Sequence, residues 1–214
     1  MNGMRWGGIM DNGKVDVLIP TAGKRVDGLI YQINAFVDQS YKHKRIWVLI
    51  DVDDEAEFHV LRARIFDRTR RYAPIDIIRV PKEYRGKHGH GPIKYAIERL
   101  DLDGEWIITS GDDDSVMPWA LEELIKASGG VDMVVGKVIP VRRDHKYLPN
   151  HVLGEDITHG HVTGSCCLYR TEKIKTLGYD DSRYDADWDM IEKMKRFPFN
   201  KIDTILFVMP QSFE

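Results

Sequence analysis

Trp106-Ile107-Ile108-Thr109-Ser110-Gly111-Asp112-Asp113-Asp114-Ser115 is the stretch on which the reading of this chain turns. The run from Trp106 to Ser110 predicts a buried strand, and Pro118 opens a helix shortly after it. Three consecutive carboxylates repel one another, so a folded protein rarely keeps them together without a neutralising cation. An oxygen-only cluster favours a hard ion such as Mg²⁺ or Mn²⁺ over zinc. At the carboxyl end of a strand in an α/β sheet, such a cluster lies where these folds bind ligands. Taken alone, the triplet reads equally as a solvated, helix-capping turn, so its meaning depends on the residues around it.

Working outward, apolar runs alternate with amphipathic segments. Val15–Ile19, Ile46–Ile50, Ile75–Val80, Val131–Val141, Gly164–Tyr169 and Ile202–Met209 predict further strands. Helical spacing covers Val26–Val37, Glu55–Tyr72, Pro92–Leu100, Trp119–Ala127, Thr171–Leu177 and Asp187–Arg196. This alternation predicts a three-layer α/β/α sandwich around a mostly parallel sheet. Residues 1–13 read as a Gly-rich flexible leader and 14–214 as one domain, with a nucleotide half (14–115) and a second half (116–214). Residues 142–160 read as a long polar loop, a common site of lids.

The net charge of −3 excludes a general electrostatic drive toward DNA or anionic membranes. No apolar run reaches the roughly 20 residues that span a bilayer. Cys166 and Cys167 are the two cysteines, adjacent and without zinc-ligand spacing. They read as reduced core residues, from which a cytoplasmic location is expected. The basic run Arg62, Arg64, Arg68, Arg70 and Arg71 reads as a solvated helix face.

Asp51 and Asp53 close the second strand and also face the ligand edge. With Gly111–Asp114 they imitate the Asp-x-Asp and Gly-Asp-x-x-x-Asp pieces of haloacid-dehalogenase-type phosphatases, but Glu55 stands where those enzymes carry Thr. Ile19-Pro20-Thr21-Ala22-Gly23-Lys24-Arg25, Gln39-Ser40-Tyr41 and Trp47–Asp51 resemble the opening of family 2 glycosyltransferases. Asp112-Asp113-Asp114 with Pro118 and Leu121 is similar to that family's Asp-x-Asp region. Gly164-Ser165, Arg170, Gly178-Tyr179 and Asp187-Trp188-Asp189-Met190 are similar to its acceptor half. In two places the chain departs from that pattern: Gly111 replaces the first Asp of the run, and Ala186 replaces the Glu before Asp187.

The resemblance implies a GT-A fold and transfer of a sugar from a nucleotide-sugar donor, UDP-linked by preference, to a hydroxyl acceptor with inversion. The acceptor class stays open among glycans, lipid-linked glycans, proteins and modified nucleic acid, and the chain is compatible with a homo-oligomer. It implies a Mn²⁺ or Mg²⁺ ion on Asp114 and Asp112, with His161 a further ligand from the second half. Pro20, Thr21, Asp51 and Asp53 would frame the nucleotide, Asp112 would meet the ribose or share the metal, and Asp113 would join the donor-binding residues. Asp187 is the candidate general base and Asp185 the reserve, because an acceptor hydroxyl needs a base in reach; both also read as acids favoured at a helix start.

Arg25 reads as a phosphate partner or a solvated helix residue. Lys87, His88 and Gly91, beside Pro92 at a helix start, form a candidate anion site for the diphosphate. The same Gly-rich stretch also reads as a plain turn. Rival readings are a non-catalytic nucleotide-sugar-binding protein, and a phosphatase or nucleotidyltransferase using the Asp clusters with Mg²⁺.

Overall fold

Apolar residues on both faces make β1 (Val15–Thr21) a strand built for the middle of a sheet: Val15, Val17, Leu18 and Ile19 are fully buried. In the computed structural model, which describes residues 13–70, 72–86, 89–142, 157–159, 162–183 and 185–211, β1 is flanked on both sides by parallel partners. The chain continues through α1 (Val26–Val37), β2 (Lys44–Ile50), α2 (Glu55–Arg68), β3 (Ile75–Arg79), α3 (His90–Arg99) and β4 (Trp106–Thr109). It then forms β5 (Ser115–Val116), α4 (Ala120–Lys126), β6 (Met133–Arg142), β7 (Cys167–Arg170), α5 (Thr171–Leu177), α6 (Ala186–Met194) and β8 (Phe199–Gln211).

The strands form one sheet in the order β3-β2-β1-β4-β7-β6-β8-β5. From β1 the chain steps outward to β2 and β3, then returns to place β4 on the other side of β1. Parallel crossovers are right-handed, so reversing direction moves the connecting helix to the opposite face. Helices α1 and α2 therefore cover one face and α3 the other, where α3 also meets α5. Between β1 and β4 lies the topological switch point, where strand ends splay and open a crevice. Two backbone bonds carry the pairing past the strand ends: Asp51 N–H donates to the Thr21 carbonyl (2.8 Å) and Ser110 N–H to the Leu18 carbonyl (3.0 Å). Asp51, Thr21 and the acidic turn are thereby drawn to one rim.

The second half of the sheet is mixed. β7 runs antiparallel to β4 and β6, β5 antiparallel to β8, and β6 parallel to β8. The expected strand Gly164–Tyr169 is shorter than the sequence suggests. Thr163 accepts from the Ser165 and Cys166 N–H groups, through its side chain and carbonyl, winding Gly164–Cys166 into a 3₁₀ turn before β7 begins. The two-residue β5 has too little pattern to be read in advance. Gln39, of the Gln-Ser-Tyr segment, is buried and ties α1 to α4 by donating to the Met117 carbonyl (2.7 Å) and accepting from Leu121 N–H (3.1 Å). Cys166 and Cys167 are buried free thiols, as expected. No helix among the described residues is long and apolar enough to cross a membrane. Residues 1–12 of the expected leader and 143–156 of the polar loop lie outside the described residues.

Lys44, at the start of β2, is buried, and its amine donates to the Tyr41 carbonyl (2.7 Å). Burial, reinforced by Lys42 and opposed by Asp38, lowers its pKa from 10.5 to about 8. The fold thus prefers the neutral amine while the unfolded chain keeps its proton to higher pH, so Lys44 costs stability at pH 7 and progressively less from about 8 upward. Urea unfolding of wild type and Lys44→Met at pH 7 and pH 10 checks this. The difference should shift toward wild type at pH 10; an unchanged difference contradicts it.

Candidate active site

The crevice at the switch point is a cavity of about 640 Å³ lined by Pro20 to Ala22, Lys24, Arg25, Asp51, Gly86, Gly89, Pro92 and Gly111 to Asp113. Its size falls within the range that accommodates small ligands and cofactors. β1 supplies Thr21, β2 ends at Asp51, the turn after β4 supplies the carboxylates, and α3 brings its N-terminus to the rim. Helix N-termini carry N–H groups without intrahelical acceptors. Here that first turn follows Gly89, which sits at φ 88°, a conformation costly for residues with a Cβ.

Each carboxylate of the triplet has a different environment. Asp112 is buried beside the cavity: its Oδ2 accepts from Thr21 Oγ1 (2.7 Å) and its Oδ1 meets Arg25 Nη2 (2.8 Å). Burial pushes its carboxyl above the ordinary range, while Thr21 and Arg25 pull it back. Asp113 is partly exposed and pairs with Arg25 Nη1. Asp114 turns into the protein. Its Oδ2 accepts from Gly111 N–H (2.8 Å), Ser165 Oγ (2.8 Å) and Ser110 Oγ (3.3 Å), and burial raises its pKa.

Asp114 does not line the cavity, contrary to its expected place as the first metal ligand: the 3₁₀ turn offers it a hydroxyl from behind. A Cβ at Gly111 would stand 3.0 Å from an Asp113 oxygen and 3.3 Å from an Asp114 oxygen, so both side chains would have to yield slightly to a larger residue.

Asp51 lines the cavity, and its Oδ2 accepts from Gly86 N–H (2.6 Å), which holds Gly86 at the site. Asp53 does not line it. Its side chain is almost wholly exposed and pairs with Arg85 (2.8 Å) because Val52 occupies the intervening inward position. Asp51 and Asp53 thus do not form the paired carboxylates of a phosphatase. Gly91 is not a cavity residue either: it packs so closely on the Tyr84 carbonyl that any Cβ would collide with it. Gly86, Gly89 and Pro92 take the lining position in its place. Lys87, His88 and His161 lie outside the described residues.

Behind the acidic turn, Gly164 N–H donates to Asp187 Oδ2 (3.1 Å), and Trp188 N–H donates to Asp187 Oδ1 (2.9 Å). A Cβ on Gly164 would come within 3.2 Å of both Asp187 and Thr109 Oγ1. Asp187 therefore sits at the end of β4, one turn from Asp114. Among the described residues no basic side chain pairs with it. Asp185 differs: Arg183 binds both of its oxygens (2.8 and 2.9 Å), His159 approaches to 3.4 Å, and its pKa is lowered, chiefly by Arg183. A carboxylate held that way is the weaker base. Ser165 is the residue whose role the sequence concealed.

The fold is GT-A-like. It is similar to Staphylococcus aureus TarS 1–349 solved in complex with UDP-GlcNAc, with a TM-score of 0.71 and 13% identity over 94% of this chain and 59% of that one. A solved structure of S. aureus TarS gives 0.68 and 12%, over 93% and 37%. The mannosyltransferase PcManGT of Pyrobaculum calidifontis, solved with GDP-Man and Mn²⁺, gives 0.63 and 11%, over 94% and 57%. The chain thus spans less than two thirds of each. No family model and no curated protein sequence matches the chain.

Truncating Asp114 strands two buried hydroxyls and a part-buried N–H, whereas truncating Asp113 removes a partly exposed group. Asp114→Ala should cost about 3 kcal/mol and Asp113→Ala under about 1 kcal/mol in urea unfolding. Equal costs would contradict the inward placement of Asp114.

Proposed function

We propose that this chain transfers a sugar from a nucleotide-sugar donor, UDP-linked by preference, to an acceptor hydroxyl with the help of Mn²⁺ or Mg²⁺. The observation that supports it most is the meeting of Thr21, Asp51, Arg25, Asp112 and Asp113 around one cavity at the switch point of a GT-A-like fold. The bound nucleotides of TarS and PcManGT suit the same reading.

Asp51 keeps one oxygen uncommitted by Gly86 and can accept the imide N–H of a uracil. Asp112 and Asp113 fit a divalent ion, because Asp112 Oδ1 and Asp113 Oδ2 already converge on a single cationic group. Among the described residues no three His, Cys, Asp or Glu gather as a metal cluster, so diphosphate oxygens and water would complete the coordination. When bound, the ion offsets the negative charge building on the departing diphosphate. Arg25, Lys24 and the N-terminus of α3 add positive potential to the same wall.

Asp187 takes the acceptor proton. Its orientation is fixed by the Gly164 and Trp188 N–H groups, and among the described residues no basic side chain pairs with it. An acceptor oxygen attacking the anomeric carbon on the face away from the departing diphosphate would give inversion in one displacement.

Thermal shift with UDP-GlcNAc, UDP-glucose and GDP-mannose, each with Mn²⁺ or EDTA, tests the donor reading. Stabilisation by a nucleotide-sugar only with Mn²⁺ is expected, and indifference to all of them would contradict it. With the responsive donor, Asp187→Asn should keep the shift yet slow sugar transfer or donor hydrolysis by ~10²–10⁴-fold. Undiminished turnover would place the base elsewhere.

A further inference from the structure

We propose that Arg25 is an internal counter-cation that competes with the divalent ion for Asp112 and Asp113, and that passes to the donor diphosphate when the ion binds. This rests on the assignment of those two carboxylates as the ion's ligands.

The guanidinium spans both carboxylates, with Nη2 on Asp112 Oδ1 (2.8 Å) and Nη1 on Asp113 Oδ2. A planar fork suits that task, and a point charge does not. Asp112 Oδ2 is already held by Thr21, so Oδ1, the oxygen under Arg25, is the one an incoming cation must take. Among the described residues no other basic side chain pairs with either carboxylate. Arg25 therefore carries the neutralisation that two adjacent acids need.

Arg25 is also able to leave. Its side chain is 49% exposed against 7% for Asp112, so the carboxylate is fixed and the cation is the moving part. It stands at the N-cap of α1 without a side-chain capping bond, and it is its backbone carbonyl that accepts from Leu29 N–H. Releasing the guanidinium thus takes no hydrogen bond from the helix. A doubly charged ion replaces a single charge at the same oxygens, and the freed guanidinium needs a new anion. A diphosphate in the adjoining cavity supplies one with matching fork geometry.

Metal and diphosphate then bind cooperatively, because each relieves a cost the other would otherwise meet alone. Metal without nucleotide must break two ion pairs. Nucleotide without metal must draw Arg25 away and leave Asp112 and Asp113 facing each other and the phosphates.

Titration of Mn²⁺, read by the electron paramagnetic resonance signal of the free ion, tests this in wild type, Arg25→Met and Arg25→Lys, each with and without UDP. Without UDP, Arg25→Met should bind Mn²⁺ about 10-fold more tightly than wild type, the scale of a lost charge-assisted bond. Arg25→Lys, which keeps a cation but not the fork, should fall between them and serves alone if the Met variant does not fold. UDP should tighten Mn²⁺ binding more in wild type than in Arg25→Met. Equal Mn²⁺ affinity across the three proteins overturns the competition. Adding Asp113→Asn to Arg25→Met separates the two ideas: loss of the gained affinity supports the site, whereas retention places the ion elsewhere and overturns the ligand assignment itself.

Discussion

One buried carboxylate holds the rest of the site in place. Asp114 is withdrawn from solvent and surrounded by the Gly111 N–H and the hydroxyls of Ser110 and Ser165. Burying a charge without such partners costs several kcal/mol, and this pocket of donors offsets that cost. Anchoring Asp114 closes the turn after β4 and leaves Asp112 and Asp113 directed at the cavity. Ser165 lies 51 residues from Asp114, so the same contact fastens the turn to the second half of the sheet.

From that anchor two lines of connection run through the molecule. One goes through Thr21 to Asp112, across the point where the strand order reverses, and joins the first strand to the acidic turn. The other goes through the Gly164–Cys166 turn, whose Ser165 holds Asp114 and whose Gly164 holds Asp187. The cavity-facing carboxylates and Asp187 are thus spaced by one hydrogen-bonded turn. Arg25 is the contrasting element: half-exposed, its side chain making no helix-capping bond, and paired with the two acids that face the cavity.

Much of the architecture was legible in the chain because its signals are local. Strands such as Val15–Ile19 and Ile46–Ile50 are continuous apolar runs, and Val26–Val37 shows its helical period plainly. The acidic turn, Thr21 and Asp51 could be placed at the ligand edge because each closes such a run. Contacts distant in sequence were not legible. Nothing in Asp112-Asp113-Asp114 says which acid turns inward; that is decided by a serine in another part of the chain. Asp53 and Gly91 carried plausible motif positions, yet Arg85 draws the first outward and the Tyr84 carbonyl confines the second. The antiparallel setting of β7 and the two-residue β5 also follow from tertiary pairing, not local pattern.

The division of labour within the acidic turn is tested most directly by a crystal structure of the protein with Mn²⁺ and UDP, the ion located by its anomalous scattering. Manganese should lie between Asp112 Oδ1 and Asp113 with the diphosphate beside it, Arg25 moved onto a phosphate, and Asp114 still bonded to Ser165. Manganese bound to Asp114, or a turn that stays empty with Arg25 unmoved, would contradict that division.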